Sequence, residues 1–310
     1  MSNKTFVRWN EAVIQDKNAD VRLDKYLKEN FDLPFSVIQK LIRKGAVKVD
    51  NRKARASDRL VAGQLICLPA SLTETRSIES KKIDPNLAQK LDPLIILKDE
   101  DLMVINKPNG LPVQAGSKIS LSLDDVLASY NHVHETSLKL VHRLDKSTSG
   151  ALIIATNRES ARVLTRLFRE KAVNKLYWAI VEGAPKEHQG IINIPLAKRL
   201  VGGEELMVPD QRSDWLEALT KFKVIRHIND DQTWLALEPI TGRTHQLRAH
   251  CKAMGWPIAG DIKYGAKTKG PMCLHARRIQ VVDYIDVLAE PPSHFKTSPT
   301  RKADDFIESR

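Results

Sequence analysis

Apolar residues fall at helical spacing near the start of the chain, first at Leu23, Tyr26 and Leu27, then at Val37, Ile38, Leu41 and Ile42. Ser36 stands where the second helix would be N-capped, and Gly45 where it would stop. Lys40, Arg43 and Lys44 occupy the opposite face of that helix. Short apolar stretches at Val47/Val49 and Leu65-Ile66-Cys67-Leu68, set between polar turn residues, predict strands. Residues 70–92 are polar and carry no sustained period, which predicts a linker. Apolar runs resume at 94–97 and 102–105 around the charged turn Lys98-Asp99-Glu100-Asp101, the pattern of a hairpin. Further strands are predicted at 151–155, 176–181, 220–225 and 234–237, with helices at 159–171 and 245–254 between them. This irregular interleaving predicts an α+β domain with a mixed, mostly antiparallel sheet, preceded by a small α/β unit. The expected boundaries are an N-terminal extension at 1–20, the small domain at 21–69, the linker at 70–92, the large domain at 93–289 and a polar tail at 290–310.

Charge changes the picture of the small unit. The whole chain carries a formal +11, and the segment from Lys40 to Arg59 alone a net +6, with Lys40, Arg43, Lys44 and Arg55 among its cations. Such a concentration on a small folded unit favours a polyanion, and nucleic acid first. Arg158, Arg162, Arg166 and Arg169 step by four, four and three residues along one helical face, with Ala161, Leu164 and Phe168 facing inward. That pattern fits an ordinary amphipathic surface helix and an RNA-facing stripe equally. Other features bound the setting. No apolar run is long enough to span a membrane, the first residues lack a secretory h-region, and three scattered cysteines form no disulfide framework. A cytoplasmic protein is expected, acting as a monomer.

Several chemistries are set aside. There is no GxGxxG, and Gly260 to Gly265 approaches a P-loop but places Ala266 where the phosphate-binding lysine should stand. His132/His134 and His245/His250/Cys251 lack a metal-ligand spacing, so no metal is expected. The run His142-Arg143-Leu144-Asp145-Lys146-Ser147-Thr148-Ser149-Gly150 stands out. Arg143 and Lys146 flank the Asp145 carboxylate with positive charge, and the small residues after it allow a ligand to approach closely.

This run resembles the signature of the RluA-type pseudouridine synthase family, and further segments match that family in order. They are Lys107-Pro108-Asn109-Gly110, Lys175-Leu176-Tyr177, the run from Gly242 to His250, and Gly260-Asp261 with Tyr264-Gly265. The basic N-terminal unit is similar to the S-four RNA-binding module of ribosomal proteins. The resemblance implies that Asp145 is the catalytic carboxylate and that Arg243 forms an ion pair with it. It implies that Tyr177 stacks on the target uracil, that Leu247 packs on the far side of base and tyrosine, and that Arg143 holds the extruded nucleotide or fills its vacated space. The activity implied is isomerisation of uridine in structured RNA. The run Gln114-Ala115-Gly116-Ser117 and the N-terminal module point to the RluC-like branch, whose substrate is large-subunit ribosomal RNA. Val113-Gln114 and Trp256 depart from the family pattern, and both bear on which RNA is accepted rather than on the chemistry.

Isomerisation detaches uracil from the sugar, turns it, and rejoins it through carbon 5, so no electrons are exchanged and no cofactor is needed. Asp145 attack on the anomeric carbon, its attack on carbon 6, and its removal of a sugar proton are all open. Two rival readings are a non-catalytic RNA-binding or assembly factor and a glycosidase-like hydrolase. The latter ordinarily needs paired carboxylates, and Asp145 has no evident partner in the sequence.

Overall fold

The computed structural model describes residues 9–31, 35–69, 84–114, 121–210 and 214–295, with the backbone alone at residues 9, 10, 17, 35 and 36. Ser36, described by its backbone alone, lies inside its helix rather than at the predicted cap. Residues 70–83 of the linker, Ala115 to Ser117 and the tail from residue 296 lie outside what is described. The chain divides into two units, Met1–Lys82 and Ile83–Arg310.

The small unit contains β1 (Trp9–Val13), α1 (Leu23–Phe31), α2 (Phe35–Arg43), β2 (Lys48–Val49), β3 (Arg52–Lys53) and β4 (Leu65–Pro69), with antiparallel strands in the order β1-β4-β2-β3. Leu23 and Leu27 of α1, Ile38 of α2, and Ile66 and Leu68 of β4 are fully buried together. Gly45 adopts φ +69° and donates its N–H to Ile42, closing α2 where the sequence predicts a stop. Lys40, Arg43, Lys44 and Arg55 are exposed, and none forms an ion pair with a described residue. The unit starts earlier than residue 21, because β1 pairs with β4 from Trp9↔Pro69 to Val13↔Leu65.

The larger unit begins within the stretch expected to be linker. Asp84 caps α3 (Pro85–Ala88) by accepting the Asn86 N–H. Ala88 and Leu91 are buried against Leu123, Leu127 and Tyr130 of α4 (Leu123–His134). Strands β5 (Ile95–Lys98) and β6 (Leu102–Lys107) form the predicted hairpin. They are followed by β7 (Lys139–Leu140), β8 (Ser149–Ala155), α5 (Arg158–Arg169), β9 (Val173–Glu182) and β10 (Gln189–Asn193). The remaining elements are β11 (Leu196–Val201), β12 (Glu204–Pro209), β13 (Leu219–Asn229), β14 (Gln232–Pro239), α6 (Gln246–Ala253), β15 (Leu274–Val281) and β16 (Ile285–Leu288).

The main sheet runs β10-β13-β14-β9-β15-β8-β6-β5, with β16 on β15 and β7 on β8, while β11 and β12 form a separate hairpin. It is the mixed, mostly antiparallel sheet expected. Its parallel junction joins β15 to β8 at His275↔Ser149 and Ala276↔Gly150. Every residue of β8 is buried, because alternate side chains enter different cores. Leu152 and Ile154 face α4, while Ala151, Ile153 and Ala155 join Leu164 of α5. Gly150 sits at the parallel junction with φ +112°, where an added Cβ would lie 2.3 Å from the Ala276 carbonyl oxygen. Close approach of the two backbones therefore requires glycine there.

Candidate active site

The loop from His142 to Thr148 leads into β8 and is braced from below by backbone and side-chain bonds. Thr148 N–H donates to the Asp145 carbonyl at 3.0 Å, and Gly110 N–H donates to the Lys146 carbonyl at 2.9 Å. Lys107, fully buried at the end of β6, directs its Nζ at the carbonyls of Pro108 (2.9 Å), Leu111 (2.8 Å) and Lys146 (3.3 Å). Asn109 Nδ2 adds bonds to the carbonyls of Ser147 and Met272. The Lys107-Pro108-Asn109-Gly110 segment thus fixes the backbone that carries Asp145. Burial pushes the Lys107 ammonium down to about 7, against the pull of the Asp145 charge.

Around Asp145 lies a cavity of about 620 Å³, within the usual range of ligand sites. Arg143, Tyr177, Arg243 and Leu247 all line it, so the five residues singled out in the large domain come together. Tyr177 projects from β9, bridging the apolar clusters of α4 and α6, and burial with the nearby Asp145 charge raises its phenol above the ordinary value. Leu247 is buried on α6 beside Leu274. Arg143 is exposed, and with Arg169, Lys171 and Lys175 it makes the cavity lining cationic. His142 stacks on Phe168 with ring centroids 4.1 Å apart, and its Nε2 accepts the Ile153 N–H at 2.8 Å. It therefore supports the loop.

The expected Arg243–Asp145 ion pair is not formed. Arg243 precedes α6, and its Nε donates to the Glu217 carbonyl at 2.9 Å. Arg248, within α6, places Nη1 3.6 Å from Asp145 Oδ2. Its Nε and Nη2 each lie 2.7 Å from the buried Asp261 carboxylate, a bidentate bond that fixes the guanidinium plane. The Tyr264 ring packs 4.8 Å from the guanidinium carbon.

His245 is a second residue without a sequence-based role. It adopts φ +51° immediately before α6, and its Nε2 lies 3.6 Å from Asp145 Oδ2. Burial pushes its imidazole below the ordinary value, against the attraction of Asp145, so the ring is neutral near pH 7. Its tautomer follows from its neighbours. Met207 N–H of β12 donates to Tyr264 Oη at 3.1 Å, which directs the phenol proton at His245 Nδ1, 3.0 Å away. The remaining ring proton is then on Nε2 and faces Asp145. Gln246 holds this turn, its Oε1 accepting from Thr241 Oγ1 and Arg243 N–H while Nε2 donates to the Leu219 carbonyl.

The sequence carried a signal for these two residues. His245 and Arg248 are three apart at the start of a predicted helix and therefore share a face, which Arg243 does not reach. Asp261 and Tyr264 lie in the segment that approaches a P-loop, where they anchor Arg248 and orient His245. Among the described residues, no group of three or more His, Cys, Asp or Glu is placed to hold a metal, and no helix is long and apolar enough to cross a membrane.

The Asp145 carboxylate faced by a fixed guanidinium, with an aromatic and an aliphatic wall and a largely cationic lining, makes a site suited to a base drawn from an anionic polymer. Comparisons identify the class. Residues 101–253 match the RNA pseudouridylate synthase family, and residues 21–66 match the S4 domain. The chain is 39% identical over 288 residues to a protein of Rickettsia typhi named ribosomal large subunit pseudouridine synthase C, covering 88% of this chain and 93% of that one. A protein of the same name from Vibrio vulnificus is 36% identical, with 81% and 79% covered. The solved structure of human RNA pseudouridylate synthase domain containing 4 superposes with a TM-score of 0.59 at 30% identity, covering 68% of this chain and 94% of that one. This chain belongs to the RNA pseudouridylate synthase family and is an RNA pseudouridine synthase with an N-terminal S4 domain.

Proposed function

We propose that the chain isomerises specific uridines of large-subunit ribosomal RNA, in the cytoplasm, with Asp145 as the catalytic carboxylate. The observation that carries this reading is the placement of Asp145 among Tyr177, Leu247, Arg248 and His245 in one cavity. The names of the relatives from Rickettsia typhi and Vibrio vulnificus support the choice of RNA.

A target uridine leaves its stack and is received by Tyr177 and Leu247, which replace the lost stacking with aromatic and aliphatic contact. Arg143 holds the backbone of the extruded nucleotide by charge. The bond from base nitrogen 1 to the sugar breaks, the uracil turns, and carbon 5 joins the anomeric carbon. The proton displaced from carbon 5 leaves, and nitrogen 1 ends protonated. Atoms and electrons balance without a cofactor. Asp145 is the reacting group on the protein side, attacking the anomeric carbon or carbon 6, or taking a sugar proton. Arg248 supplies a positive charge whose orientation is set before substrate arrives, and the neutral His245 presents Nε2–H to the same carboxylate oxygen. Such preorganised groups stabilise developing charge more effectively than mobile water. Arg243 adds an RNA-facing cation to the cavity lining.

Mapping pseudouridine in large-subunit ribosomal RNA from cells with and without this protein tests the proposal. Loss of pseudouridine at one or a few positions on deletion, restored by the wild-type gene, is the expected result. An unchanged map in that RNA, with losses in transfer RNA instead, would overturn the substrate assignment.

A further inference from the structure

We propose that the arginine face of α5 is a track for the RNA backbone leading into the active-site cavity. This rests on the reading of the cavity as an RNA site, and it names where the RNA beyond the extruded nucleotide runs.

The helix ends at the cavity, since Phe168, Arg169 and Lys171 all line it. From there Arg169, Arg166, Arg162 and Arg158 lead away along one exposed face, while Ser160 and Leu164 are buried on the other. At 1.5 Å per residue the stripe is about 16 Å long, beyond the reach of a single nucleotide held in the cavity.

Two features separate it from an ordinary solvated face. First, exposed helices usually alternate charges so that partners three or four apart attract. Here like charges stand at that spacing from Arg158 to Arg162, Arg166 and Arg169, which works against the helix. Only Glu159 and Glu170 offset them, at 2.6 Å from Arg162 and 3.9 Å from Arg169. Arg158 and Arg166 form no ion pair with a described residue. A row of phosphates would relieve this repulsion. Second, Lys171 adopts φ +59° just past the helix, in the left-handed region where glycine or asparagine is usual. A lysine kept there puts one more cation in the cavity lining at a conformational cost. Charge complementarity and continuity with the cavity both select an RNA strand as the occupant.

The test compares the full-length wild type with an Arg158→Gln/Arg162→Gln/Arg166→Gln variant, and glutamine keeps the helix propensity close to that of arginine. None of the three residues lines the cavity. Binding of a 20-nucleotide hairpin RNA with a uridine loop is measured between about 0.05 and 0.2 M salt. Each arginine–phosphate pairing removed should lower the log–log salt slope by roughly 0.7–0.9. Three such pairings then make the wild-type affinity fall about 20- to 40-fold more than the variant's over that range. A pentanucleotide centred on uridine should show equal slopes in both proteins, and an Arg→Lys triple variant should retain the wild-type slope on the hairpin. Equal hairpin slopes for wild type and the glutamine variant would overturn the track. So would a reduced slope in the lysine variant, which would trace the effect to helix structure rather than charge. Failure of the proposed function is read separately, as absence of isomerisation by the wild type, and leaves the slope comparison unaffected.

Discussion

Replacing Tyr264 by phenylalanine removes the one oxygen that links the β11–β12 hairpin to His245 beside Asp145. Tyr264 is buried, and its hydroxyl joins Met207 N–H to His245 Nδ1. The ring remains in Tyr264→Phe, so its packing on Arg248 is kept. Losing the acceptor for a buried N–H costs about 1–3 kcal/mol. For a unit of this size each kcal/mol shifts Tm by about 2–4 °C, so a fall of roughly 2–12 °C is expected. The second effect is on catalysis. Without the phenol proton, His245 Nδ1 has no donor, and nothing fixes the ring proton on Nε2 opposite Asp145. A hydrogen bond of about 0.5–1.5 kcal/mol, felt only in the transition state, corresponds to a rate loss of roughly 2- to 13-fold. The assay pairs calorimetry with single-turnover isomerisation at saturating RNA, so that binding does not enter. A lowered Tm with an unchanged single-turnover rate would refute the argument that Tyr264 sets the His245 tautomer for catalysis.

Further outcomes follow from the same structure. Replacing Lys40, Arg43, Lys44 and Arg55 with alanine should weaken binding to long structured RNA and lower the log–log salt slope by about 3, whereas an unchanged slope would exclude these exposed cations from the RNA interface. Gly150→Ala should destabilise the larger unit by about 4 kcal/mol or more, because the new Cβ meets the Ala276 carbonyl at 2.3 Å, and a melting curve like the wild type's would contradict this. His275 is fully buried between Ser149 Oγ and the Ala289 carbonyl, and burial, with Arg277 nearby, pushes it down to about 4 against the pull of Glu290. Below pH 6.5 the unfolded chain takes up this proton and the folded chain does not, so stability falls as pH drops from 6.5 to about 4, by up to roughly 3 kcal/mol. His275→Phe should flatten that part of the wild-type profile, and equal pH profiles for the two proteins would disprove the assignment.

Strands with strong apolar content are legible in the sequence, as at 102–105 and 151–155, because burial on both faces leaves no polar gap. The strand at Trp9–Val13 is not, since Trp-Asn-Glu-Ala-Val carries little periodicity and its place depends on pairing with residues more than fifty positions later. The helix Pro85–Ala88 is hidden for a related reason, as its few apolar residues are buried only by α4. At the site, Asp145, Tyr177 and Leu247 stand in recognisable motifs, and the structure gathers them in one cavity. The cation facing Asp145 is Arg248, whereas the motif alone points to Arg243 of the same Gly242 to His250 run. Choosing between the two depends on where the helix begins, and element boundaries are what sequence patterns locate least well. The Tyr264–His245 link spans nineteen residues, across α6 and the loop that follows it, and nothing in local periodicity signals it.

The most direct test of the account is release of tritium from carbon 5 of uridine in labelled large-subunit ribosomal RNA, comparing the wild type with Asp145→Asn. The wild type should release tritium without forming free uracil or abasic sites. The variant should release none, while its affinity for the RNA stays within a few-fold. Substantial release by purified Asp145→Asn protein would contradict the role given to this carboxylate.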